Sequence, residues 1–219
     1  MDIFVSIVYI IADVFGSIKL KRPERANVYR NYNERIGSMR LFIAINFNTG
    51  TRNKLIALCD ELRSHSERGG FSLPENLHLT LAFLGECDDK QTAAAKAAMD
   101  TAVFDPFEIL IDRIGRFKRN HRGGDIWWVG IRENKNLLDL QQNLTSGLRS
   151  RGFNLEKRKY NPHITLAREV KTDATPRSIE PFGEPISMID LMKSERINEK
   201  LTYTSIYQHG TAKQTFFFA

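Results

Sequence analysis

One short phrase is written twice in this chain, as His78-Leu79-Thr80-Leu81-Ala82 and as His163-Ile164-Thr165-Leu166-Ala167. Both copies are apolar and β-leaning, and side chains on a strand alternate between its two faces. In the first copy His78, Thr80 and Ala82 share one face, against Leu77, Leu79, Leu81 and Phe83 on the other. In the second, His163, Thr165 and Ala167 share a face, with Ile164 and Leu166 behind. Each strand thus turns aliphatic residues to a core and an imidazole with a hydroxyl to something else. Residues two apart on a strand stand roughly 6–7 Å from each other, a spacing that can hold one phosphate. Two such strands facing each other place two histidines around a single ligand.

The surrounding pattern repeats as well. A strand at 40–47 leads into a helical stretch with Leu55, Leu58, Cys59 and Leu62 on one side, and a Gly69-Gly70 loop then leads to the first His/Thr strand over 77–84. Asp88 can cap an alanine-rich helix over 89–102. Two β-like runs follow, 107–116 and 126–131, joined by a basic loop from Lys118 to Gly124. The second run leads into a helix over 136–151 with Leu137, Leu140, Leu144 and Leu148 on one side and Gly152 as its C-terminal cap. The second His/Thr strand, 163–169, comes next, and strands near 185–194 and 202–209 close the chain. Strand, helix, His/Thr strand therefore occurs once per half. The expected fold class is α+β: two pseudo-symmetric lobes, each a mostly antiparallel sheet backed by helices, with a cleft between them.

Composition narrows the class. The 219 residues are enough for one sizeable core, and 42% hydrophobic with 26% charged residues is ordinary for a soluble protein. A net charge of +6 modestly favours polyanionic partners such as RNA. Two cysteines without CxxC spacing argue against a disulfide scaffold or a cysteine-based zinc site, so a cytoplasmic setting is expected. The apolar run over residues 3–12 is too short to span a bilayer, and Met1-Asp2 is not the positive start of a signal peptide. A strong strand begins abruptly at Met39. Residues 1–38 are therefore expected to be an extension outside the fold, with Met39 the natural start and 39–219 the functional domain. A mature chain beginning at Met1, read by mass spectrometry, would contradict this.

Imidazole titrates near neutral pH, so one histidine can accept a proton while another donates one. A phosphodiester displacement needs that pair of roles, on opposite sides of phosphorus. Thr80 and Thr165 could hold the non-bridging oxygens as charge develops. Metal binding is the chemical rival, but no third or fourth ligand stands out near either copy, and threonine is a poor zinc ligand.

The chain resembles the two-histidine phosphoesterases, and specifically their RNA 2′,3′-cyclic phosphodiesterase (2′-5′ RNA ligase) branch. The resemblance rests on residues 39–45, on His78 to Gly85, on Trp127-Trp128-Val129-Gly130 and on Pro162 to Arg168. It implies hydrolysis of RNA 2′,3′-cyclic phosphate ends to 2′-phosphomonoesters with no metal or other cofactor. It also implies His78 as proton donor and His163 as proton acceptor, with Thr80 and Thr165 the phosphate-binding candidates read from the motif itself. The residues alone leave donor and acceptor open, because the two phrases are nearly identical. Expected partners are RNA ends or oligonucleotides carrying the cyclic phosphate, with no membrane, and the chain is expected to act as a monomer. The alternatives are a phosphodiesterase or ligase for 2′-5′ linked oligonucleotides or small cyclic nucleotides, and an RNA-end-binding module without catalysis. Two intact titratable groups argue against the last.

Secondary candidates are Phe117, Trp127, Trp128 and Tyr160 for base stacking, against core packing for the tryptophans. Arg116, Lys118, Arg119, Arg122, Arg158 and Lys159 could meet RNA phosphates or form solvated loops. Strand alternation points Arg168 away from His163. His65, His121 and His209 lack a following threonine and are expected at the surface.

Overall fold

The structure is a computed structural model that describes residues 37–119 and 123–211. The extension expected over 1–38, apart from Gly37 and Ser38, lies outside the described residues, as do His121 and Arg122 of the basic loop. In chain order the elements are β1 (Met39–Asn46), α1 (Thr49–Ser64), β2 (Ser66–Phe71), a 3₁₀ turn (Pro74–Asn76), β3 (His78–Cys87), α2 (Asp89–Asp100), β4 (Phe107–Phe117), β5 (Asp125–Ile131), α3 (Lys135–Ser150), β6 (His163–Thr172), β7 (Arg177–Ile186), β8 (Met188–Ile197) and β9 (Lys200–Gly210).

The local signals act as expected. Asp88 and Gln91 form a reciprocal capping box at the start of α2, which satisfies two otherwise orphaned N–H groups. At the end of α3, Gly152 has φ +91°. Its N–H bonds to the Arg149 carbonyl while the Phe153 N–H bonds to that of Leu148, a Schellman closure. Leu137, Leu140, Leu144 and Leu148 form the buried stripe of that helix.

Two antiparallel sheets carry the molecule, in the orders β3-β1-β8-β9 and β2-β6-β5-β4-β7. Each places a His/Thr strand beside the strand that opens its half, β3 beside β1 and β6 beside β5. The sheets are not simply the two sequence halves, however. β2, from the first half, joins the second sheet, while β8 and β9, from the second half, complete the first. Such exchanges tie the lobes together. So does Glu184 on β7, whose carboxylate accepts from the Asn48 N–H at the cap of α1 at 3.0 and 3.1 Å.

Three expectations need correction. The Gly69-Gly70 segment is a strand rather than a loop, pairing with β6 along an irregular register. The chain after β6 forms three strands, not two. The strand expected near 185–194 is broken at Ser187, where the chain leaves the five-stranded sheet for the four-stranded one. β7 holds Pro181 and Pro185 and pairs only with β4, at the sheet edge, where a missing N–H is tolerated.

Candidate active site

His78 opens β3 and His163 opens β6, and both line one cleft of about 940 Å³ together with Thr80 and Thr165. The two histidines are held alike. His78 Nδ1 lies 2.7 Å from the Asn76 carbonyl and His163 Nδ1 lies 2.7 Å from that of Asn161. A carbonyl only accepts, so Nδ1 carries the hydrogen in each ring and Nε2 is the lone-pair nitrogen of the neutral form. The Thr80 hydroxyl, 3.0 Å away, donates to Nε2 of His78.

The threonine main chains are both anchored by side-chain hydroxyls. The Thr80 carbonyl accepts from Tyr160 Oη at 2.8 Å, and the Thr165 carbonyl accepts from Ser72 Oγ at 2.8 Å. The first tie joins the lobes, since Tyr160 stands three residues before His163 while Thr80 lies on β3; the second lies within the five-stranded sheet, where Ser72 directly follows β2, the neighbour of β6. Tyr160 is thus a strut and not an open stacking surface.

Desolvation lowers the pKa of both histidines, more than the carbonyl bonds to Nδ1 raise it. Arg168 lowers both further by charge repulsion, and His163 adds a smaller effect on His78. In the free site both rings therefore favour the neutral form near pH 7.

Arg168 lines the cleft, contrary to the alternation argument. A β-bulge is the reason. Trp128 pairs with Thr165 and Trp127 with Ala167, so one extra residue sits in β6 between them. Leu166 and Ala167 are both buried and the side after them reverses, turning Arg168 to the cleft. The first copy has the same bulge: Ala44 pairs with Thr80 and Ile43 with Ala82. Ala82 is buried and Phe83, expected on the core face, lines the cleft instead. Both copies of the phrase thus end on a buried alanine and export the next residue to the site.

The remaining candidates separate. Trp127 is core, 1% exposed. Trp128 and Phe117 meet the His163 ring edge-on at 6.2 and 5.1 Å. Arg116 pairs with Asp125 at 3.3 Å and Arg158 with Glu156 at 2.5 Å, and neither lines the cleft, nor do Lys118, Arg119 and Lys159. His65 is exposed, while His209 is partly covered beside Asp100 at 3.5 Å. The cleft's cations are Arg40, Arg168 and Arg196. Reading Arg40 from sequence would have required knowing that β1 pairs with β3. Among the described residues, no group of three or more His, Cys, Asp or Glu side chains is gathered as for a metal ion.

A family profile described as the 2′-5′ RNA ligase superfamily matches residues 52–189. A protein of Archaeoglobus fulgidus named RNA 2′,3′-cyclic phosphodiesterase is 32% identical over 152 residues, 67% of this chain and 85% of that one. A protein of the same name from Methanothermobacter thermautotrophicus is 34% identical over 165 residues, 74% of this chain and 86% of its own. The crystal structure of Escherichia coli LigT in apo form has the same fold, with a TM-score of 0.69 at 24% identity, covering 81% of this chain and 99% of LigT.

Proposed function

The chain belongs to the 2′-5′ RNA ligase superfamily, and we propose that it hydrolyses RNA 2′,3′-cyclic phosphate ends to 2′-phosphomonoesters with His78, His163, Thr80 and Thr165 and no metal ion. The names of the relatives support the substrate. The observation that carries the chemistry is the matched pair of imidazoles in one cleft, each with Nδ1–H committed to a carbonyl and Nε2 left to work.

His163 takes a proton from water as its oxygen attacks phosphorus. The P–O3′ bond breaks, and His78 gives its proton to O3′, leaving a 3′-hydroxyl and a 2′-phosphate. Thr80, Thr165 and Arg168 meet the non-bridging oxygens, whose charge rises towards the transition state. His78 needs a proton that the free site disfavours. The anionic phosphodiester supplies the counter-charge that raises its pKa on binding. Substrate thus completes the protonation state that the reaction requires. Both halves of the site come from one chain, which fits a monomer, and no helix among the described residues is long and apolar enough to cross a membrane.

The test is incubation with RNA ending in a 2′,3′-cyclic phosphate in the presence of EDTA, with the product identified. A 2′-phosphate is expected. A 3′-phosphate, or activity that disappears with EDTA, contradicts the proposal. His78→Ala and His163→Ala should each cost roughly 10²–10⁴-fold in kcat, the usual worth of general acid–base help.

A further inference from the structure

The cleft is larger than its chemistry needs. At about 940 Å³ it lies near the top of the range for a single small ligand. Its far end is basic and belongs to the four-stranded sheet. Arg40 on β1, Ser194 on β8 and Tyr203 on β9 stand directly opposite one another in the ladder, with Arg196 and Leu201 as the next row. All of these residues line the cleft. The first row is close to the reaction centre. The Phe42 ring packs on His78 at 4.8 Å, and Arg40, two residues along the same face, is roughly 6–7 Å farther. Burial raises the pKa of the Tyr203 phenol, while Arg168 and Arg40 both lower it, so its hydroxyl stands in the field of both cations. Arg40 lies over the Phe83 ring at 5.1 Å, and Arg196 Nη1 donates to the Glu199 carbonyl at 2.8 Å, leaving its other N–H groups open. Among the described residues neither arginine forms an ion pair with a carboxylate, Glu86 opposite Arg40 on β3 and Glu169 in the cleft lining included.

We propose that Arg40 and Arg196, with the Tyr203 hydroxyl, form a second phosphate site, which takes the phosphodiester on the 5′ side of the RNA's terminal nucleoside. The proposal rests on the phosphodiesterase reading and names the form of substrate that the site selects. With O3′ departing beside His78, the ribose lies on the His78 side of phosphorus, over the sheet that carries β3. Its 5′ oxygen then leads along β1, β8 and β9 towards the two arginines. A phosphodiester there presents one negative charge on two non-bridging oxygens, which suits a pair of guanidinium groups. The catalytic phosphate meets Arg168 and the next one meets Arg40 and Arg196, so the cations of the cleft follow the backbone of one strand. A mononucleoside cyclic phosphate has nothing to place in the second site. The cleft is therefore built for the end of an RNA chain, held by its backbone without selecting sequence.

The experiment compares two dinucleotides ending in a 2′,3′-cyclic phosphate, one with its natural internal phosphodiester and one with an uncharged methylphosphonate in that place. Wild type should favour the charged RNA by roughly 3–30-fold in kcat/KM, the worth of two solvent-exposed charge pairs. Both arginine side chains are exposed, so their removal leaves the core intact. Arg40→Ala/Arg196→Ala should bring the ratio near one, chiefly by raising KM on the charged RNA. That KM should also respond less to salt, with a log–log slope smaller by roughly 1.4, at about 0.7 for each backbone contact to a single strand. Arg40→Lys/Arg196→Lys, which keeps both charges, should keep most of the preference. A ratio left at its wild-type value in the alanine variant overturns the second site, whether the two rates hold or fall together. Equal rates on both RNAs in wild type overturn it as well, and leave the phosphodiesterase reading standing because both are cleaved. If wild type cleaves neither RNA, that reading falls and the second site falls with it.

Discussion

Replacing Tyr160 by phenylalanine removes one oxygen from the joint between the lobes. That hydroxyl donates to the Thr80 carbonyl at 2.8 Å, and burial pushes its pKa up, so it acts as a neutral donor throughout the working pH range. β3 is the edge of its sheet, so Thr80 can find a ladder partner on one side only, in β1. Phenylalanine fills nearly the same volume and leaves the carbonyl without its donor. An orphaned buried polar group costs about 1–3 kcal/mol. For a domain of this size each kcal/mol lowers Tm by about 2–4 °C, so a fall of roughly 2–12 °C is expected. The larger consequence is geometric. Tyr160 stands three residues before His163 and holds the residue two beyond His78, so it sets the spacing of the two imidazoles. Misplacement by about 1 Å can cost 10²-fold in rate. Tyr160→Phe should therefore lose roughly 10–100-fold in kcat with KM little changed, measured well below its melting temperature. Wild-type kcat, or a loss confined to KM, would refute the strut and point to contact with substrate.

Stability should fall as the pH is lowered through the histidine range. His78 and His163 have folded pKa values below the usual 6.5, so below that pH the unfolded chain binds protons more readily than the native one. The stabilisation is complete above pH 6.5 and is lost as pH falls towards the folded values. Thermal melts between pH 7.5 and 5.5 should show a steeper decline for wild type than for His78→Asn/His163→Asn, and equal slopes would contradict the burial argument. Arg168→Ala should lower kcat/KM by roughly 10–100-fold, the worth of a charge-assisted hydrogen bond. It should also weaken the salt dependence of KM, whereas an unchanged enzyme would return Arg168 to the outer face.

What was legible in the sequence followed local rules. His78, Thr80, His163 and Thr165 obey a period of two, and Asp88 and Gly152 mark helix ends by their own chemistry. Arg168 and Phe83 were misplaced because one inserted residue in each strand reverses the alternation beyond it, and nothing in Leu-Ala announces a bulge. β2 and β7 were hidden for another reason: both are sheet edges, where glycine pairs and prolines are tolerated. Tyr160 looked like a stacking ring because its partner, Thr80, lies 80 residues away in the chain. Arg40 needed the pairing of β1 with β3, a tertiary fact.

The claim that two nearly identical histidines perform opposite tasks is tested most directly by changing the leaving group. Sulfur in place of O3′ in the cyclic phosphate leaves as a thiolate that needs no proton. His78→Ala should be severely impaired on the oxygen substrate and restored to within a few-fold of wild type on the sulfur one, while His163→Ala should be impaired on both. Rescue of His163→Ala in place of His78→Ala would reverse the assignment, and rescue of neither would contradict the acid–base pair itself.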